Sequence, residues 1–161
     1  MNLFSIRKIE PPDNVALAKI IRDALTEFKA NKPGTVYFDD STDHLYELFQ
    51  QEKGIYHVAT IKDQILGGGG IVHTTGLAVD TCELVKLYLA PAARGKGIGK
   101  ALMQQCLDEA KNAGYKKVYL ETMPELISAI PMYEQFGFSY LSGPLGNSGH
   151  TGCDIWMIKL L

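Results

Sequence analysis

A glycine-rich run with flanking cations is the segment of the chain whose residue types and spacing are best suited to bind an anion. The run is Arg94-Gly95-Lys96-Gly97-Ile98-Gly99, and it lies between an apolar segment and an amphipathic one. Glycine tolerates positive φ and lets backbone N–H groups approach a ligand closely. The start of a following helix adds unpaired N–H groups and a favourable dipole. The run therefore predicts a phosphate-binding loop, although a plain turn between a strand and a helix has the same bare pattern.

Two common nucleotide-binding motifs do not fit the spacing of this run. A Walker loop requires Gly-Lys followed by Ser or Thr, and neither tripeptide occurs in the chain. A dinucleotide fingerprint requires G-x-G-x-x-G. The chain has Arg94, two residues, Gly97, one residue and then Gly99. Both of these site classes are therefore excluded.

The pattern R/Q-x-x-G-x-G/A after a strand resembles the acetyl-coenzyme A motif of the GNAT acetyltransferase superfamily. Before the loop, Leu87-Tyr88-Leu89-Ala90-Pro91 is similar to the strand end L-x-V-x-P of that family. After it, residues 129–138 are similar to the second family signature, A-x-x-L-Y-x-x-x-G-F. The two blocks span about residues 82 to 140 in the family order, so the chain is identified as a member of this superfamily.

The resemblance implies that two central parallel strands splay apart and that the pantetheine arm of acetyl-coenzyme A enters the gap. Splayed strands leave N–H and C=O groups that need partners, and the amides of the arm can supply them. The expected cofactor-binding residues lie on the strand end, the loop and the next helix: Leu87, Tyr88, Leu89, Arg94, Gly95, Lys96, Gly97, Ile98, Gly99, Lys100, Ser128, Met132 and Tyr133. The family often has an asparagine where this chain has Leu126, so its contacts must be absent or made by Ser128 or Glu125.

The activity implied by the resemblance is direct transfer of an acetyl group from the thioester to a primary amine in a ternary complex. Tyr133 matches the family tyrosine that reaches the cofactor sulfur, and a phenol can protonate a departing thiolate. A buried aromatic side chain that anchors its helix is the structural alternative. The backbone N–H of Leu87 is expected to polarise the thioester carbonyl.

Glu83 is the first candidate for the general base. It lies eleven residues before Arg94, where the protein-lysine-acetylating branch of the family places its catalytic glutamate. A carboxyl group in a partly apolar cleft has a raised pKa, which suits a base at neutral pH. A solvated carboxylate at a strand edge, or an ion-pair partner of Lys86, is the alternative. Glu121 is a second candidate, and many family members use water instead of a side-chain base.

The acceptor is expected between residues 35–40 and 146–154, by analogy with the family. The first segment offers aromatic and anionic side chains that suit a cationic amine, although an ordinary solvated loop is also consistent. Two ligands, His150 and Cys153, are too few for a zinc site, so no metal is expected. The acceptor is predicted to be a small or amino-acid-like amine. A protein lysine or N-terminal acceptor, or a non-catalytic acetyl-coenzyme A sensor, are the alternatives. The candidate acceptor-binding residues are Tyr37, Phe38, Asp39, Glu121 and His150.

Hydrophobic periodicity predicts one α/β (α+β) domain over residues 1–161. The predicted architecture is a central mixed twisted sheet of about six to seven strands flanked by about four helices. The family resemblance adds that the sheet is splayed at two parallel strands. The Gly67–Gly70 run predicts a bulge or a close approach of ligand. The predicted strands are 3–9, 55–61, 65–72, 83–89, 117–122, 138–141 and 154–160. The predicted helices are 13 or 14 to about 30, a short one from 41 or 42, one from about 98, and 125–136.

The bulk properties limit the class of protein without identifying it. The chain has 161 residues, 46% of them hydrophobic, and a net charge of -2, which argues against a nucleic-acid surface. No leader pattern and no run of about 18 apolar residues occurs, so a cytoplasmic protein with no membrane partner is expected. Three widely spaced cysteines fit reduced thiols better than a disulfide framework. The sequence does not decide the oligomeric state, and both a monomer and a homodimer are consistent with it.

Overall fold

The computed structural model describes residues 3–161, and its centre is one seven-stranded sheet in the order β1-β2-β3-β4-β5-β7-β6. The strands β4 and β5 are parallel, and all other neighbours are antiparallel. This confirms the predicted mixed sheet with four α-helices. The strands are β1 (Ser5–Lys8), β2 (Ile55–Ile61), β3 (Gln64–Val72), β4 (Thr81–Leu89), β5 (Lys117–Thr122), β6 (Ser139–Leu141) and β7 (Ile155–Leu160). The helices are α1 (Asn14–Glu27), α2 (Leu45–Leu48), α3 (Ile98–Asn112) and α4 (Ala129–Gln135).

The parallel strands β4 and β5 pair only over their first three residues. Thr81 to Glu83 lie beside Lys117 to Tyr119, and no further pair joins the two strands among the described residues. Both strands continue beyond this point, β4 as far as Leu89. The predicted splay is therefore confirmed, and it leaves an open gap between the carboxyl ends of β4 and β5.

A bulge interrupts the pairing of β3 with β4. Gly70 lies opposite Val85 and Gly68 opposite Tyr88, so β4 contains one residue more than β3 across this interval. The backbone of Lys86 has φ +53°, in the left-handed region. This bulge lies beside the glycine run, and its extra residue is on the facing strand β4. A second bulge lies on β3 itself, next to Gly67, because Ile65 and Gly67 pair with the consecutive residues Thr60 and Ala59 of β2 and Leu66 is the extra residue.

The helices pack on the sheet through apolar stripes. On α3 the residues Ile98, Leu102, Cys106 and Ala110 recur at spacings of four and are completely buried. On α1 the buried residues are Leu17, Ala18, Ile21, Ala24 and Leu25. Val15 lies outside this face and is 82% exposed.

Three helix boundaries differ from the prediction. The α2 helix begins at Leu45 and not at residue 41 or 42, because Asp40–Asp43 form a separate 3-10 turn. The α1 helix ends at Glu27 and not near residue 30, because Lys29 adopts φ +56° and the N–H of Ala30 donates to the carbonyl of Leu25 at 2.7 Å. This 6→1 bond closes the helix. The α4 helix begins at Ala129 and not at residue 125, after a turn in which the N–H of Ala129 donates to the carbonyl of Leu126. Within residues 3–161, no helix has the length and apolar character needed to cross a membrane.

Candidate active site

The gap between β4 and β5 is the centre of the main cleft of the molecule. Side chains of α1, α4 and the segments around residues 35 and 150 complete its walls. The predicted residues Glu83, Leu87, Tyr88, Leu89, Arg94, Gly99, Glu121, Ser128, Met132, Tyr133 and His150 all line this cleft. The structure therefore brings most of the predicted cofactor and catalytic residues together.

The glycine loop turns into α3 at the edge of this cleft. Gly97 is the residue before the helix and has φ +79°, and Gly95 has φ +73°. A Cβ placed on either glycine would meet no atom within 4 Å, so the space above both residues is open. Ile98 is buried in the core and offers only its backbone to a ligand, while Lys96 and Lys100 are exposed. The loop thus presents unobstructed N–H groups at a helix start, as an anion site requires.

Arg94 is tied to α1, which the sequence did not predict. Its guanidinium lies 2.6 Å from a carboxylate oxygen of Glu27, stacks at 5.0 Å over the ring of Phe28, and donates to the carbonyl of Leu89 at 3.3 Å. Arg94 therefore fastens the loop to α1 and to the end of β4. Its charge is partly neutralised by Glu27, so Lys96 and Lys100 are the more available cations.

Tyr133 lies on α4 with its ring packed edge-on against Phe138, at 6.0 Å between ring centroids. It is 7% exposed and lines the cleft. Burial raises the pKa of its hydroxyl above the ordinary value, which keeps the phenol protonated at neutral pH. Nearby, Glu125 forms an ion pair with Lys32 at 2.9 Å, whereas the Ser128 side chain makes no capping bond to α4. Of the two residues considered in place of the family asparagine, Ser128 is the one that lines the cleft.

Glu83 lies where β4 and β5 begin to separate. It is only 2% exposed, and its carboxyl group accepts a hydrogen bond from the hydroxyl of Thr74 at 3.2 Å. Burial and the charge of Glu121 raise its pKa to about 7. The alternative of a solvated strand-edge carboxylate is therefore wrong. Among residues 3–161 Glu83 forms no ion pair with Lys86, because the Lys86 ammonium lies beside Asp39.

Glu121 and His150 form a hydrogen-bonded cluster across the cleft from Glu83. The carboxylate of Glu121 accepts hydrogen bonds from the hydroxyls of Tyr119, at 2.7 Å, and Ser148. Burial favours the neutral acid, but the charge of His150 and the hydrogen bonds from Ser148 and Tyr119 outweigh it and lower the pKa of Glu121. Glu121 is therefore held ionised, which makes it a weaker base than Glu83.

His150 bridges this cluster to Asp39. Its Nε2 lies 2.7 Å from Oδ2 of Asp39, and its Nδ1 lies 3.7 Å from Glu121. Burial disfavours the charged imidazole, but the two carboxylates prevail and raise its pKa to about 9. His150 is therefore a cation at neutral pH.

The predicted aromatic wall does not form part of the cleft. Phe38 is 60% exposed, and Tyr37 packs edge-on against it at 5.0 Å. Neither residue lines the cleft, where Thr35 and Val36 take their place. Asp39 is connected to the cleft through its contacts with His150 and Lys86, which both line it. No group of three or more His, Cys, Asp or Glu side chains within residues 3–161 is arranged to hold a metal ion.

The cleft residues that were not predicted as site residues include Lys86, Thr122 and Cys153. The hydroxyl of Thr122 is buried and has no hydrogen-bond partner among the described residues. No sequence pattern marks Thr122, because a strand threonine is ordinary. The left-handed backbone of Lys86 is equally invisible in the sequence, apart from the glycine run on the facing strand.

The similarity to known proteins agrees with this geometry. The model of the Acetyltransferase (GNAT) family matches residues 17–138. The chain is 39% identical to YjgM of Escherichia coli (strain K12), an uncharacterized N-acetyltransferase, over 97% of this chain and 94% of that one. The fold is similar to an acetyltransferase of the GNAT family from Staphylococcus aureus Mu50, with a TM-score of 0.86 and 18% identity over 98% of each chain. It is also similar to yncA from Salmonella typhimurium, solved with its cofactor acetyl-CoA, with a TM-score of 0.77 and 20% identity over 99% of this chain and 94% of that one.

Structure and similarity indicate the same family. The structural features are the splayed parallel strands and the open glycine loop before α3. The similarities are the family match over residues 17–138 and the near full-length relative. The chain belongs to the GNAT acetyltransferase family and is an N-acetyltransferase.

Proposed function

We propose that this protein transfers an acetyl group from acetyl-coenzyme A to a primary amine by direct attack in a ternary complex, with Glu83 as the general base. The observation that carries the proposal is the burial of the Glu83 carboxyl group at the opening of the β4–β5 gap, with a pKa of about 7. A base with this pKa is ionised in a large fraction of molecules near neutrality, yet still accepts a proton.

The residues of the cleft fit acetyl-coenzyme A. Beyond Glu83 the facing edges of β4 and β5 are unpaired, so an amide-bearing arm could take hydrogen bonds from the backbone of Leu87 to Leu89. The open backbone of the 95–100 loop suits a pyrophosphate, with Arg94 holding that loop in place. Ser128, Met132 and Tyr133 would contact the arm from α4. The buried, unpartnered hydroxyl of Thr122 is a further polar group that a ligand in the gap would satisfy.

In this proposal three groups of the protein take part in the reaction: the carboxylate of Glu83, the backbone N–H of Leu87 and the hydroxyl of Tyr133. Acetyl-coenzyme A, when bound, supplies the acetyl group as a thioester. Glu83 removes a proton from the ammonium of the acceptor, so that the amine nitrogen can form the new C–N bond. The backbone N–H of Leu87 polarises the carbonyl oxygen. Tyr133 donates a proton to the sulfur as the C–S bond breaks, and its raised pKa keeps that proton in place until then. The second proton that the nitrogen loses as it becomes an amide restores the Tyr133 phenol, and the proton held by Glu83 passes to solvent.

A small acceptor fits the acceptor side of the cleft better than an extended peptide. The loop between β6 and β7 is attached at two points. The N–H of Gly152 donates to the carbonyl of Gly34 at 2.9 Å, and the N–H of Asn147 donates to the carbonyl of Thr75 at 2.7 Å. These bonds hold the loop beside the cleft, with its His150 at 3.7 Å from Glu121, and this arrangement favours a small acceptor. The free thiols of Cys82, Cys106 and Cys153 are consistent with a cytoplasmic enzyme.

The test is a thiol-release assay with acetyl-coenzyme A and a panel of amines, comparing wild type with Glu83→Gln and Glu121→Gln. We expect Glu83→Gln to lower kcat by about 10²- to 10⁴-fold, the usual contribution of a general base. Glu121→Gln should keep substantial turnover at pH 8, since Glu121 is engaged in hydrogen bonds and is the poorer base. Equal activity of Glu83→Gln and wild type would exclude Glu83 as the base. Cofactor binding without release from any amine would favour the sensor alternative.

A further inference from the structure

Lys86 occupies a position that is unfavourable for a lysine in two respects. Its backbone is left-handed, with φ +53°, where residues with a Cβ are disfavoured. Its side chain is also only 3% exposed, although an ammonium group loses hydration energy on burial. Unfavourable conformations of this kind concentrate at functional sites. Lys86 lines the cleft, three residues after Glu83.

The surrounding strands are built to hold this conformation. The hydroxyl of Tyr56 donates to the carbonyl oxygen of Lys86 at 2.8 Å in a buried setting. The ring of Tyr56 lies against the glycine run of β3. A Cβ on Gly68 would come within 2.4 Å of this ring, and a Cβ on Gly70 within 2.7 Å. The glycine run therefore makes room for the tyrosine that secures the bulge at Lys86.

The charge of Lys86 is only partly compensated by its neighbours. Its Nζ lies 3.6 Å from Oδ2 of Asp39, which is too long for a good hydrogen bond. The same carboxylate oxygen is 2.7 Å from Nε2 of His150, so Asp39 is already engaged by a second cation. No side-chain hydrogen bond within residues 3–161 involves the ammonium of Lys86. Lys86 thus retains N–H donors for a group that enters the cleft.

The acceptor half of the cleft carries both signs of charge close together. Asp39 and Glu121 are anionic, His150 and Lys86 are cationic, and Glu83 lies among them. A polyamine would bind best at a site with excess negative charge. A molecule that carries an ammonium and a carboxylate matches this mixed site better, with its ammonium near Glu83 and its carboxylate at Lys86.

We propose that the acceptor is an α-amino acid or a close derivative, and that Lys86 binds its carboxylate. This inference rests on the proposed acetyltransferase function. Lys86 fixes one end of the acceptor, so that the amine is presented to Glu83 beside the reacting carbonyl group. The site accordingly selects against amines that lack the carboxylate.

The first experiment uses the wild-type protein with acetyl-coenzyme A and the twenty standard amino acids, each paired with its α-amide. The amide keeps the amine and the side chain and removes only the carboxylate charge. We expect kcat/KM to be about 10- to 100-fold higher for the preferred free acid than for its amide, as for loss of a charged hydrogen bond. Equal or better turnover of the amide, or release only with amines outside this set, would overturn the inference and leave the acetyltransferase function standing. If no amine of any class caused thiol release, both the amino-acid acceptor and the acetyltransferase function would be overturned.

The second experiment compares Lys86→Met with Lys32→Met. Lys32 is paired with Glu125 and is not among the residues that line the cleft. Lys86→Met should lower kcat/KM for the free acid to about the level of the amide, while the value for the amide changes little. Lys32→Met should leave the preference for the free acid intact. Calorimetry with acetyl-coenzyme A shows whether each variant keeps its cofactor site. Equal losses for acid and amide in Lys86→Met would mean a purely structural lysine and would overturn the inference.

Discussion

The half of the cleft that we propose for the cofactor (the cofactor half) and the half that we propose for the acceptor (the acceptor half) differ in the groups that line them. The cofactor half consists of the end of β4, the 94–100 loop and α4, and it presents backbone N–H groups, glycines and apolar side chains. The acceptor half presents ionisable side chains from four separate segments: Asp39, Glu83 with Lys86, Glu121, and His150. One half is suited to hold an extended ligand through its main chain, and the other to move protons and recognise charge.

This difference predicts that the two halves respond differently to substitution. Changes in the cofactor half should alter the affinity for acetyl-coenzyme A. Changes in the acceptor half should alter turnover and acceptor choice while that affinity stays constant. Tyr133 lies where the two halves meet, since it packs in the core and also lines the cleft.

Substitution of Tyr133 by phenylalanine should have the largest effect of the three changes considered next. Tyr133→Phe removes the proton donor and keeps the ring against Phe138, so kcat should fall about 100-fold, at the lower end for an acid catalyst. The dissociation constant of acetyl-coenzyme A, measured by calorimetry, should stay within about twofold of wild type, as expected when no strong binding contact is lost. Wild-type turnover would show that the buried phenol only anchors α4.

A matched pair of glycine variants probes the cofactor half. Gly97 and Gly114, at the two ends of α3, both have positive φ, and a Cβ on either would meet no atom within 4 Å. Alanine at each site should therefore destabilise the fold by a similar amount, about 1–2 kcal/mol. Only Gly97→Ala should also weaken acetyl-coenzyme A binding, by about tenfold, as for a lost hydrogen bond to a charged group. Equal affinities of the two variants for acetyl-coenzyme A would show that the 94–100 loop is not part of the cofactor site.

The smallest effect is expected from removing the hydrogen bond that secures the bulge at Lys86, and it should appear as a loss of stability. Tyr56→Phe leaves the buried carbonyl oxygen of Lys86 without its donor and should lower the free energy of unfolding by about 1–3 kcal/mol in urea titrations. Tyr140→Phe is the control, because the Tyr140 hydroxyl bonds Glu134 on the exposed surface and should contribute less than about 1 kcal/mol. A stability loss in Tyr56→Phe no greater than in Tyr140→Phe would show that the bulge does not depend on this hydrogen bond.

The sequence predicted the open glycine loop before α3 for a physical reason. Backbone binding of an anion needs glycines at fixed spacing before a helix, so the requirement is local and is visible as a motif. The splay of β4 and β5 followed from the family resemblance and was confirmed. Helix ends were less predictable, since the end of α1 depends on the left-handed backbone of Lys29.

The acceptor half was predicted only in part, because tertiary structure assembles it. Asp39 and His150 are in contact although 111 residues separate them. Glu27, which neutralises Arg94, is 67 residues away from it. The role of Lys86 depends on a bulge whose cause lies on two other strands. None of these relations leaves a local pattern in the sequence, whereas Glu83 could be found from its distance to Arg94.

The most direct test of Glu83 as the base is the pH dependence of kcat/KM for the acceptor. The folded pKa of Glu83 is raised to about 7, so the ionised base is lost as the pH falls through that value. Wild-type kcat/KM should therefore decrease below about pH 7, and Glu83→Gln should be slow and lack this limb. Glu121→Gln should keep the limb but shift it to lower pH, because the charge of Glu121 helps to raise the pKa of Glu83. An acid limb that persists unchanged in Glu83→Gln would contradict the general-base role.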